Sequence, residues 1–459
     1  MSSARYLSAI EVVTRNGGTW TNPSDDPDGD ETVAIIEGAA AGAIDEYEFT
    51  PWIAERPERA TTPRTIAPMM APSGSGDALP VLGMVGAGQL ARMTQQSIVG
   101  LGLPFRILAQ GPTDSAVSVS RDVTVGSWDE LVDLEAFASG CDVVTFDHEL
   151  VDPRLLATLE ERGHRLRPGS AAQRYAQDKL YQRQELAAAG FPVPEHRAVA
   201  DLEDLVGFGG TVGWPVVAKA VRGGYDGRGV WVLPDRDAAE ELWHDTRADG
   251  VDLLVEAHIR IERELAVAVV RRPTGEQRAY SVTETVQSDG ICVELVVPAP
   301  VAADVAAEAT ELAERVVQHV DGVGVVALEL FQTVDGMIVN ELALRPHNSV
   351  HWSIEGARTS QFQNHARAVL DLPLGDVSLT APAVATVNIL GPADGSDPRS
   401  RLPAALEVPG VAVHLYSKDA RPGRKLGHVT AVGDDPTETR AHARRAANRL
   451  TGKEATDEQ

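Results

Sequence analysis

The amino-acid sequence predicts a multidomain protein that combines α/β and α+β architecture. Its 459 residues exceed what one hydrophobic core usually holds, so we expect two to four domains. From Leu79 onward, short apolar strands, glycine turns and helices alternate, which is typical of a parallel α/β domain. A smaller strand-rich segment runs from "AVATVNILG" to "GRKLGHVTAVG" near the C-terminus.

Composition and pattern divide the chain into five parts. Residues 1–78 carry 13 acidic and 5 basic residues and contain "NPSDDPDGDE", so we expect an acidic extension that is disordered. The predicted domains are a parallel α/β domain at 79–175, a central domain at 176–375 and a small β-rich domain at 376–445. The helix "ETRAHARRAANRL" is predicted near the end, and residues 446–459 are assigned to a charged tail.

The net charge and the cysteine content limit the classes of function. A formal net charge of −26 argues against a general nucleic-acid binder, because such proteins present a basic face to phosphates. The sequence lacks an apolar run of about 18 residues and the features of a secretory signal, so we expect no membrane span. Cys141 and Cys292 are the only cysteines and lack metal-site spacing. We therefore expect a protein of the reducing cytoplasm.

Lysine is rare in this chain and marks candidate sites. Of the 41 basic residues only five are lysines, so arginine serves wherever any positive charge is sufficient. A position that keeps lysine is a candidate for a compact ammonium group on a flexible stem. Lys453 lies in the tail, and the others fall in stretches that are selected below on other grounds: Lys179, Lys219, Lys418 and Lys425.

The first glycine turn, "GAGQLA" at residues 86–91, follows a predicted strand and precedes a predicted helix. This order matches a dinucleotide fingerprint and indicates a Rossmann-like N-terminal domain. The next strand ends in Gln110, where a dinucleotide site would have an acidic residue for the ribose. The free amides of a helix N-terminus can bind one phosphate group, and a tight turn without a ligand explains the residues equally well.

A glycine-rich loop follows Lys219 between two short apolar strands. Its sequence, "GGYDGRG" at residues 223–229, has no Walker A pattern, since the lysine precedes the loop on the strand "PVVAK". Glycines let backbone amides approach phosphate oxygens, so we interpret this loop as a lid over a nucleotide. The alternative is an ordinary glycine-rich hairpin.

Two acidic residues follow at strand ends. Glu256 ends the strand "DLLVEAHI", where exposed backbone groups can pair with an adenine edge. Glu264 begins the strand "ELAVAVV" and can take ribose hydroxyls. From the sequence alone, such acidic residues are more often plain surface carboxylates.

A predicted hairpin near residue 335 brings two further glutamates together. The sequence "VDG" at 334–336 fits a three-residue loop with glycine in the left-handed conformation. The resulting register pairs Thr333 with Met337, Phe331 with Val339, and Glu329 with Glu341. Asn340 then points to the opposite face, although it lies near a strand end and can swing in.

The opposed glutamates predict a metal site. Like charges facing each other on a sheet repel, and apolar neighbours increase the cost. A bound divalent cation removes this cost, and oxygen ligands favour magnesium or manganese. The alternative is a register slipped by one residue, which would also reverse the apolar face of the strand.

Two polar clusters follow the hairpin. The first is "RPHNS", which predicts an oxyanion pocket beside the metal, although its histidine can also be a structural one. The second is "YSKDARPGRKLGH", which predicts a second anion site or else a solvated basic loop. Their candidate residues are Arg345, His347, Asn348, Ser349, Lys418, Arg421, Arg424 and Lys425.

These features together resemble the ATP-grasp superfamily. Within it, several motifs between about residues 80 and 435 are similar to the 5-(carboxyamino)imidazole ribonucleotide synthase family of purine biosynthesis: "GAGQLARM", "TFDHE", "GGYDGRG", "NELALRPHNSVHW" and "RPGRKLGH". The resemblance implies an ATP-grasp central domain and a homodimer. It implies that bicarbonate and ATP give carboxyphosphate, which carboxylates the amine of 5-aminoimidazole ribonucleotide.

The resemblance also implies roles for individual residues. The nucleotide-binding set is Lys179, Lys219, Gly223, Gly224, Tyr225, Asp226, Gly227, Arg228, Gly229, Glu256, Ala257, His258, Ile259, Glu264, Asn340 and Glu341. The metal ligands are Glu329 and Glu341. The catalytic set is Arg345, His347 and Lys418. The ribonucleotide-binding set is Gly88, Gln89, Leu90, Glu149, Asp226, Asn348, Ser349, Lys418, Arg424 and Lys425.

Some positions depart from the family pattern, and other functions remain open. The departures are Ala87, Asp147, Leu150, Leu344 and Val350. The nearest alternative is another ATP-grasp ligase, such as a formate-dependent glycinamide ribonucleotide transformylase or a biotin carboxylase. A nucleotide-binding regulator without catalysis is the alternative from a different class.

Overall fold

The computed structural model describes residues 79–223, 229–248 and 250–453. The acidic extension predicted at 1–78 lies outside the described residues. So does the centre of the predicted lid, which comprises Gly224, Tyr225, Asp226, Gly227 and Arg228.

The described chain alternates strands and helices. The strands are β1 (Leu82–Val85), β2 (Phe105–Ala109), β3 (Asp122–Val125), β4 (Val143–Phe146), β5 (His196–Val199), β6 (Val216–Ala220), β7 (Val230–Leu233), β8 (Leu253–Ala257), β9 (Arg263–Arg271), β10 (Gln277–Ala279), β11 (Thr283–Ser288), β12 (Ile291–Val297), β13 (Gly324–Thr333), β14 (Gly336–Ala343), β15 (Ala383–Leu390), β16 (Val411–Leu415) and β17 (Lys425–Gly433). The helices are α1 (Gln89–Ile98), α2 (Leu131–Ala138), α3 (Pro153–Glu161), α4 (Ser170–Gln177), α5 (Lys179–Ala188), α6 (Leu202–Val212), α7 (Arg236–Ala248), α8 (Ala303–His319), α9 (Ser353–Gly356), α10 (Gln361–Val369), α11 (Leu402–Leu406) and α12 (Pro436–Thr451). Within the described residues, no helix is both long and apolar enough to cross a membrane.

The N-terminal sheet has the predicted parallel arrangement. Its order is β3-β2-β1-β4, and all three pairings are parallel. The inner parallel strands are covered on both faces, so Leu82, Met84 and Ile107 are fully buried, whereas the edge strand β3 is partly exposed. Helix α1 packs its apolar side against this sheet and against α10, which joins the first domain to the rest of the chain.

A small antiparallel sheet flanks the glycine-rich loop that the sequence predicts to be a lid. Its order is β5-β8-β6-β7, and the β6–β7 hairpin leads into and out of the glycine-rich loop, as predicted. Gly223 and Gly229 flank the loop with φ angles of 79° and 73°, which explains why glycine is needed at both positions. Apolar side chains of α6 and α7 cover one face of the sheet, among them Phe208 and Leu242.

The large central sheet extends into the C-terminal domain. Among the described strands its order is β14-β13-β9-β11-β12-β15-β17-β16, with β10 beside β9. Because β15 pairs with β12, the β-rich C-terminal domain continues the central sheet instead of forming a separate one. Helix α12 runs to Thr451 and buries Leu450 completely, so it continues past residue 446, the predicted start of the charged tail.

Candidate active site

The β13–β14 hairpin places two carboxylates opposite each other, but its turn length and its register differ from the predicted ones. Thr333 pairs with Gly336, so the turn has two residues instead of three, and the predicted pairs Thr333–Met337 and Phe331–Val339 are wrong. The Thr333 hydroxyl tightens this turn, because it accepts a hydrogen bond from the Asp335 amide and donates one to the Gly336 carbonyl. The register then shifts next to Glu329, and Glu329 pairs with Glu341 as predicted.

This register shift is a β-bulge whose extra residue is Asn340. In a bulge, two residues of one strand face a single residue of its partner. The side chain of Asn340 therefore lies on the side of the two glutamates, instead of on the opposite face that the regular register predicts. Its Oδ1 atom accepts a hydrogen bond from Lys219 Nζ at 3.1 Å. Its Nδ2 atom lies 3.4 Å from Glu329 Oε2 and donates to it. The bulge therefore supplies one more polar side chain to the site.

The two carboxylates have different electrostatic environments. Lys179 Nζ lies 2.9 Å from Glu341 Oε1. Burial acts to raise the pKa of Glu341, but the charge and hydrogen bond of Lys179, together with the charge of Lys219 and further charges nearby, lower this pKa overall. Burial, followed by the charges of Glu341 and Glu264, raises the pKa of Glu329 to about 7.

The pair is suited to a magnesium ion. Carboxylate oxygens are the ligands that magnesium prefers, and a cation would relieve the repulsion that raises the pKa of Glu329. Among the described residues, no group of three His, Cys, Asp or Glu side chains could hold a metal by itself. The donor set therefore fits a cation that takes its remaining ligands from phosphate oxygens and water.

Two lysines approach the carboxylates from different elements. Lys179 begins α5, and Lys219 lies on β6. Lys219 is 8% exposed and contacts Glu256 Oε2 at 2.8 Å. Burial lowers the pKa of Lys219, and the charge of Glu256 opposes this effect.

Arg183 belongs to the same cluster, although the sequence analysis missed it. It is 1% exposed, and its Nε atom lies 2.6 Å from Glu256 Oε1. Arg183 follows Lys179 by four residues on α5, so both residues lie on one side of the helix. This spacing is a signal that could have identified it.

The expected adenine-contacting segment is only partly available. The carboxylate of Glu256 is 3% exposed and is occupied by Arg183 and Lys219, whose charges outweigh burial and lower its pKa. The Ala257 amide donates to the Glu195 carbonyl. Backbone groups of His258 and Ile259, which follow β8, remain candidates for the adenine edge.

Glu264 lies near the metal-binding candidates. It is the second residue of β9, where it pairs with Phe331, and burial raises its pKa. Its charge contributes to the raised pKa of Glu329. Since Glu329 pairs with Ala266, two residues along β9, Glu264 lies on the same face of the sheet as Glu329, and the ribose role that the resemblance implies stays a prediction.

The segment "RPHNS" follows β14 and faces the carboxylates. His347 Nε2 lies 4.0 Å from Glu329 Oε1, and Arg345 Nε lies 2.6 Å from Glu149 Oε2. Ser349 is buried, and its hydroxyl lies 2.9 Å from His347 Nδ1. Ser349 therefore orients His347, and the contact with the ribonucleotide that the resemblance implies for Ser349 stays a prediction. Asn348 next to it is partly exposed.

The glycine turn after β1 is already occupied by a side chain. Asp147, which follows β4, accepts a hydrogen bond from the Gly88 amide at 2.6 Å, so this amide is not free for a phosphate group. A Cβ atom at Gly86 would lie 1.8 Å from Asp147 Oδ1, which explains the glycine there. Burial raises the pKa of Asp147. In the sequence, Asp147 stands out only as a departure from the family pattern.

The predicted ribonucleotide-binding residues are only partly brought together. Lys418 Nζ donates a hydrogen bond to Gln89 Oε1, and Lys425 lies close enough to act on the charge of Glu329. Arg424 is partly exposed and donates to the Asp419 carbonyl. Leu90 is buried in an apolar cluster with Met93, Phe362 and Tyr416, so its side chain belongs to the core.

Comparisons with known proteins agree with this arrangement. Three family models match: the ribonucleotide synthetase preATP-grasp domain at residues 79–177, the ATP-grasp domain at 184–362, and the phosphoribosylaminoimidazole carboxylase C-terminal domain at 384–442. The N5-carboxyaminoimidazole ribonucleotide synthase of Mycobacterium tuberculosis H37Rv is 44% identical over 85% of this chain and 92% of its own length. The enzyme of the same name from Corynebacterium ammoniagenes is 41% identical over 81% of this chain and 92% of its own length.

Solved structures give the same result. The N5-carboxyaminoimidazole ribonucleotide synthetase of Thermus thermophilus superimposes with a TM-score of 0.73 at 34% identity, covering 82% of this chain and 100% of that one. The Aspergillus clavatus enzyme in complex with ADP and 5-aminoimidazole ribonucleotide has a TM-score of 0.74 at 32% identity, covering 81% and 98%. The chain belongs to the N5-carboxyaminoimidazole ribonucleotide synthase family of ATP-grasp enzymes.

Proposed function

We propose that this protein uses ATP and bicarbonate to carboxylate the amine of 5-aminoimidazole ribonucleotide, and that it releases ADP and phosphate. The observation that carries this proposal is the meeting of Lys179, Glu341, Glu329 and His347 in one cluster, with separations of 2.9 Å for Lys179–Glu341 and 4.0 Å for His347–Glu329. Groups that suit a nucleotide phosphate thus adjoin groups that suit a small oxyanion. The Aspergillus relative binds ADP and the aminoimidazole ribonucleotide together.

The cations of this cluster bind and orient ATP. Lys179 and Lys219 hold its phosphates, while the backbone after β8 meets the adenine. A magnesium ion held by Glu329 and Glu341 would supply further positive charge to the transferred phosphoryl group. The glycine-rich loop at residues 223–229, which the sequence predicts to be a lid, would exclude water and so protect a labile mixed anhydride.

Bicarbonate binds beside the γ-phosphate, at Arg345 and His347. One oxygen of bicarbonate attacks the γ-phosphorus atom, ADP leaves, and carboxyphosphate forms. The amine of the ribonucleotide then takes the CO2 unit, and phosphate leaves. Glu149 fixes the Arg345 guanidinium, and Ser349 fixes His347, so both donors are held in place before charge develops on the oxyanion.

The proposal is tested by the substrate dependence of ATP hydrolysis. We expect ADP release only when bicarbonate and 5-aminoimidazole ribonucleotide are both present, with transfer of the label from 13C-bicarbonate to the product. Activation by formate and glycinamide ribonucleotide, or by biotin, would assign the protein to another ATP-grasp ligase. Absence of any ATP turnover would favour a regulator that binds nucleotides.

We also propose that the protein acts as a homodimer in the cytoplasm. Both statements rest on the resemblance to the family and on the composition of the chain. Analytical ultracentrifugation of the full chain measures the first, and a monomer at working concentrations would contradict it. Fractionation of cells measures the second.

A further inference from the structure

A closed ring of hydrogen bonds lies behind the candidate phosphate-binding groups. Arg183 Nε binds Glu256 Oε1 at 2.6 Å, and Glu256 Oε2 binds Lys219 Nζ at 2.8 Å. Lys219 Nζ binds Asn340 Oδ1 at 3.1 Å, and Arg183 Nη2 binds the Asn340 carbonyl oxygen at 2.5 Å. The ring thereby connects α5, the small sheet and the edge strand of the central sheet.

The local structure and the burial of the ring residues explain why they pair with one another. The bulge takes Asn340 out of the β13–β14 ladder, so its carbonyl oxygen is available to Arg183. A guanidinium group can bind two acceptors in different directions, whereas an ammonium group lacks this planar fork. Arg183 and Glu256 are 1% and 2% exposed, and charges at that depth need partners.

The ring contains one carboxylate and two cations. Arg183 occupies one oxygen of Glu256 and leaves only the other to Lys219. Without Arg183, Lys219 would be the only cation of the ring that pairs with Glu256. The stronger attraction to this carboxylate would draw the ammonium group of Lys219 away from the nucleotide. The small sheet would also lose its link through Arg183 to the Asn340 carbonyl.

We infer that Arg183 is a positioning residue for the reaction, which shares Glu256 with Lys219 and so keeps Lys219 directed at the phosphates of ATP. The inference rests on the proposed function, because it takes the phosphates of ATP as the ligand of Lys219. Arg183 itself does not touch the nucleotide in this assignment. Its effect should therefore depend on the phosphates and not on the adenosine part.

The test compares two ligands in the full-length enzyme carrying Arg183→Met. We expect the Kd of ADP to rise about tenfold or more, as for loss of a hydrogen bond to a charged group, while the inhibition constant of adenosine stays within about twofold. A merely structural role would weaken both ligands together. Equal losses for ADP and adenosine, or no loss for ADP, would overturn the inference.

Three further variants sharpen the result. In a Lys219→Met background, Arg183→Met should cost no further ADP affinity, because its effect passes through Lys219. Arg183→Lys should recover part of the affinity, and it replaces the methionine variant if that one does not fold. Arg440→Met is the matched control, because it also removes an arginine that pairs with a buried glutamate: Arg440 Nε lies 2.6 Å from Glu294 Oε1. Arg440 is distant from the ring in the sequence, so this variant should leave the ADP affinity unchanged.

The wild-type protein separates this inference from the proposed function. A wild-type enzyme that binds ADP no better than adenosine would refute the phosphate-binding role of the lysines and with it the proposed function. A wild-type enzyme that prefers ADP, together with an Arg183→Met variant that keeps this preference, would refute the inference alone.

Discussion

Lowering the pH from about 8 to about 6 should weaken magnesium binding about tenfold, because protons compete for Glu329. Its pKa is raised to about 7 by burial and by the charges of Glu341 and Glu264. The Glu329 carboxyl group is protonated below its raised pKa. Protonation stabilises the metal-free protein, and this stabilisation is lost as the pH rises through about 7. The ionised fraction is roughly nine tenths at pH 8 and roughly one tenth at pH 6, and only this fraction binds a cation.

Isothermal titration calorimetry measures this linkage directly. Magnesium is titrated into the ADP-saturated protein in two buffers that differ in ionisation enthalpy, which gives the number of protons released per ion. We expect roughly one proton at pH 6, roughly half at pH 7 and almost none at pH 8. A titration of ADP alone supplies the correction for protons released by the nucleotide.

Two variants separate the source of the protons. Glu329→Gln should abolish the proton release, because its side chain no longer titrates. Glu264→Gln should keep the release but move its midpoint to a lower pH, since Glu264 is one cause of the raised pKa. Proton release that is unchanged in Glu329→Gln, or absent from the wild type between pH 6 and pH 7, would refute the reasoning.

Four other substitutions test three separate parts of the structure. Gln89→Ala and Lys418→Ala should each raise the KM for the aminoimidazole ribonucleotide at least about tenfold while changing the KM for ATP little, and equal effects in initial-rate assays would contradict the assignment. Asp147→Ala should lower the free energy of unfolding by about 1 kcal/mol, as measured by denaturant titration, because the Gly88 amide at the start of α1 loses its acceptor. Leu450→Ala should lower it by about 2–5 kcal/mol with both KM values unchanged, whereas a loss below about 0.5 kcal/mol would mean that α12 is not part of the core.

Local patterns were sufficient for the features that depend on neighbouring residues. The parallel sheet followed from apolar strands separated by glycine turns, and the hairpin that leads into the lid followed from the strands on either side of residues 223–229. The position of Lys219 on the strand that precedes this loop was also predicted. In each case the residues that determine the element lie within a few positions of one another.

Features that depend on distant pairing were not accessible in this way. The turn before β14 is one residue shorter than predicted and the bulge at Asn340 adds one residue, so two errors cancel at Glu341. Nothing in the local sequence indicates that β15 pairs with β12, because that choice depends on strands nearly a hundred residues apart. Likewise, Arg183 gains its role from Glu256 and Asn340, which only tertiary structure brings to it.

In the ligand-free site, each lysine is paired with a carboxylate, and these pairs affect how the nucleotide and the metal ion bind. Lys179 pairs with Glu341, and Lys219 pairs with Glu256, so each lysine already has a carboxylate partner. If Lys179 turns to a phosphate group, Glu341 is left beside Glu329 without its cation, and the repulsion between the two carboxylates increases. A metal ion at the pair removes this repulsion, and the same exchange frees Lys179 for the phosphate. Nucleotide and metal should therefore each increase the affinity for the other, since either ligand alone leaves one half of the Lys179–Glu341 pair uncompensated.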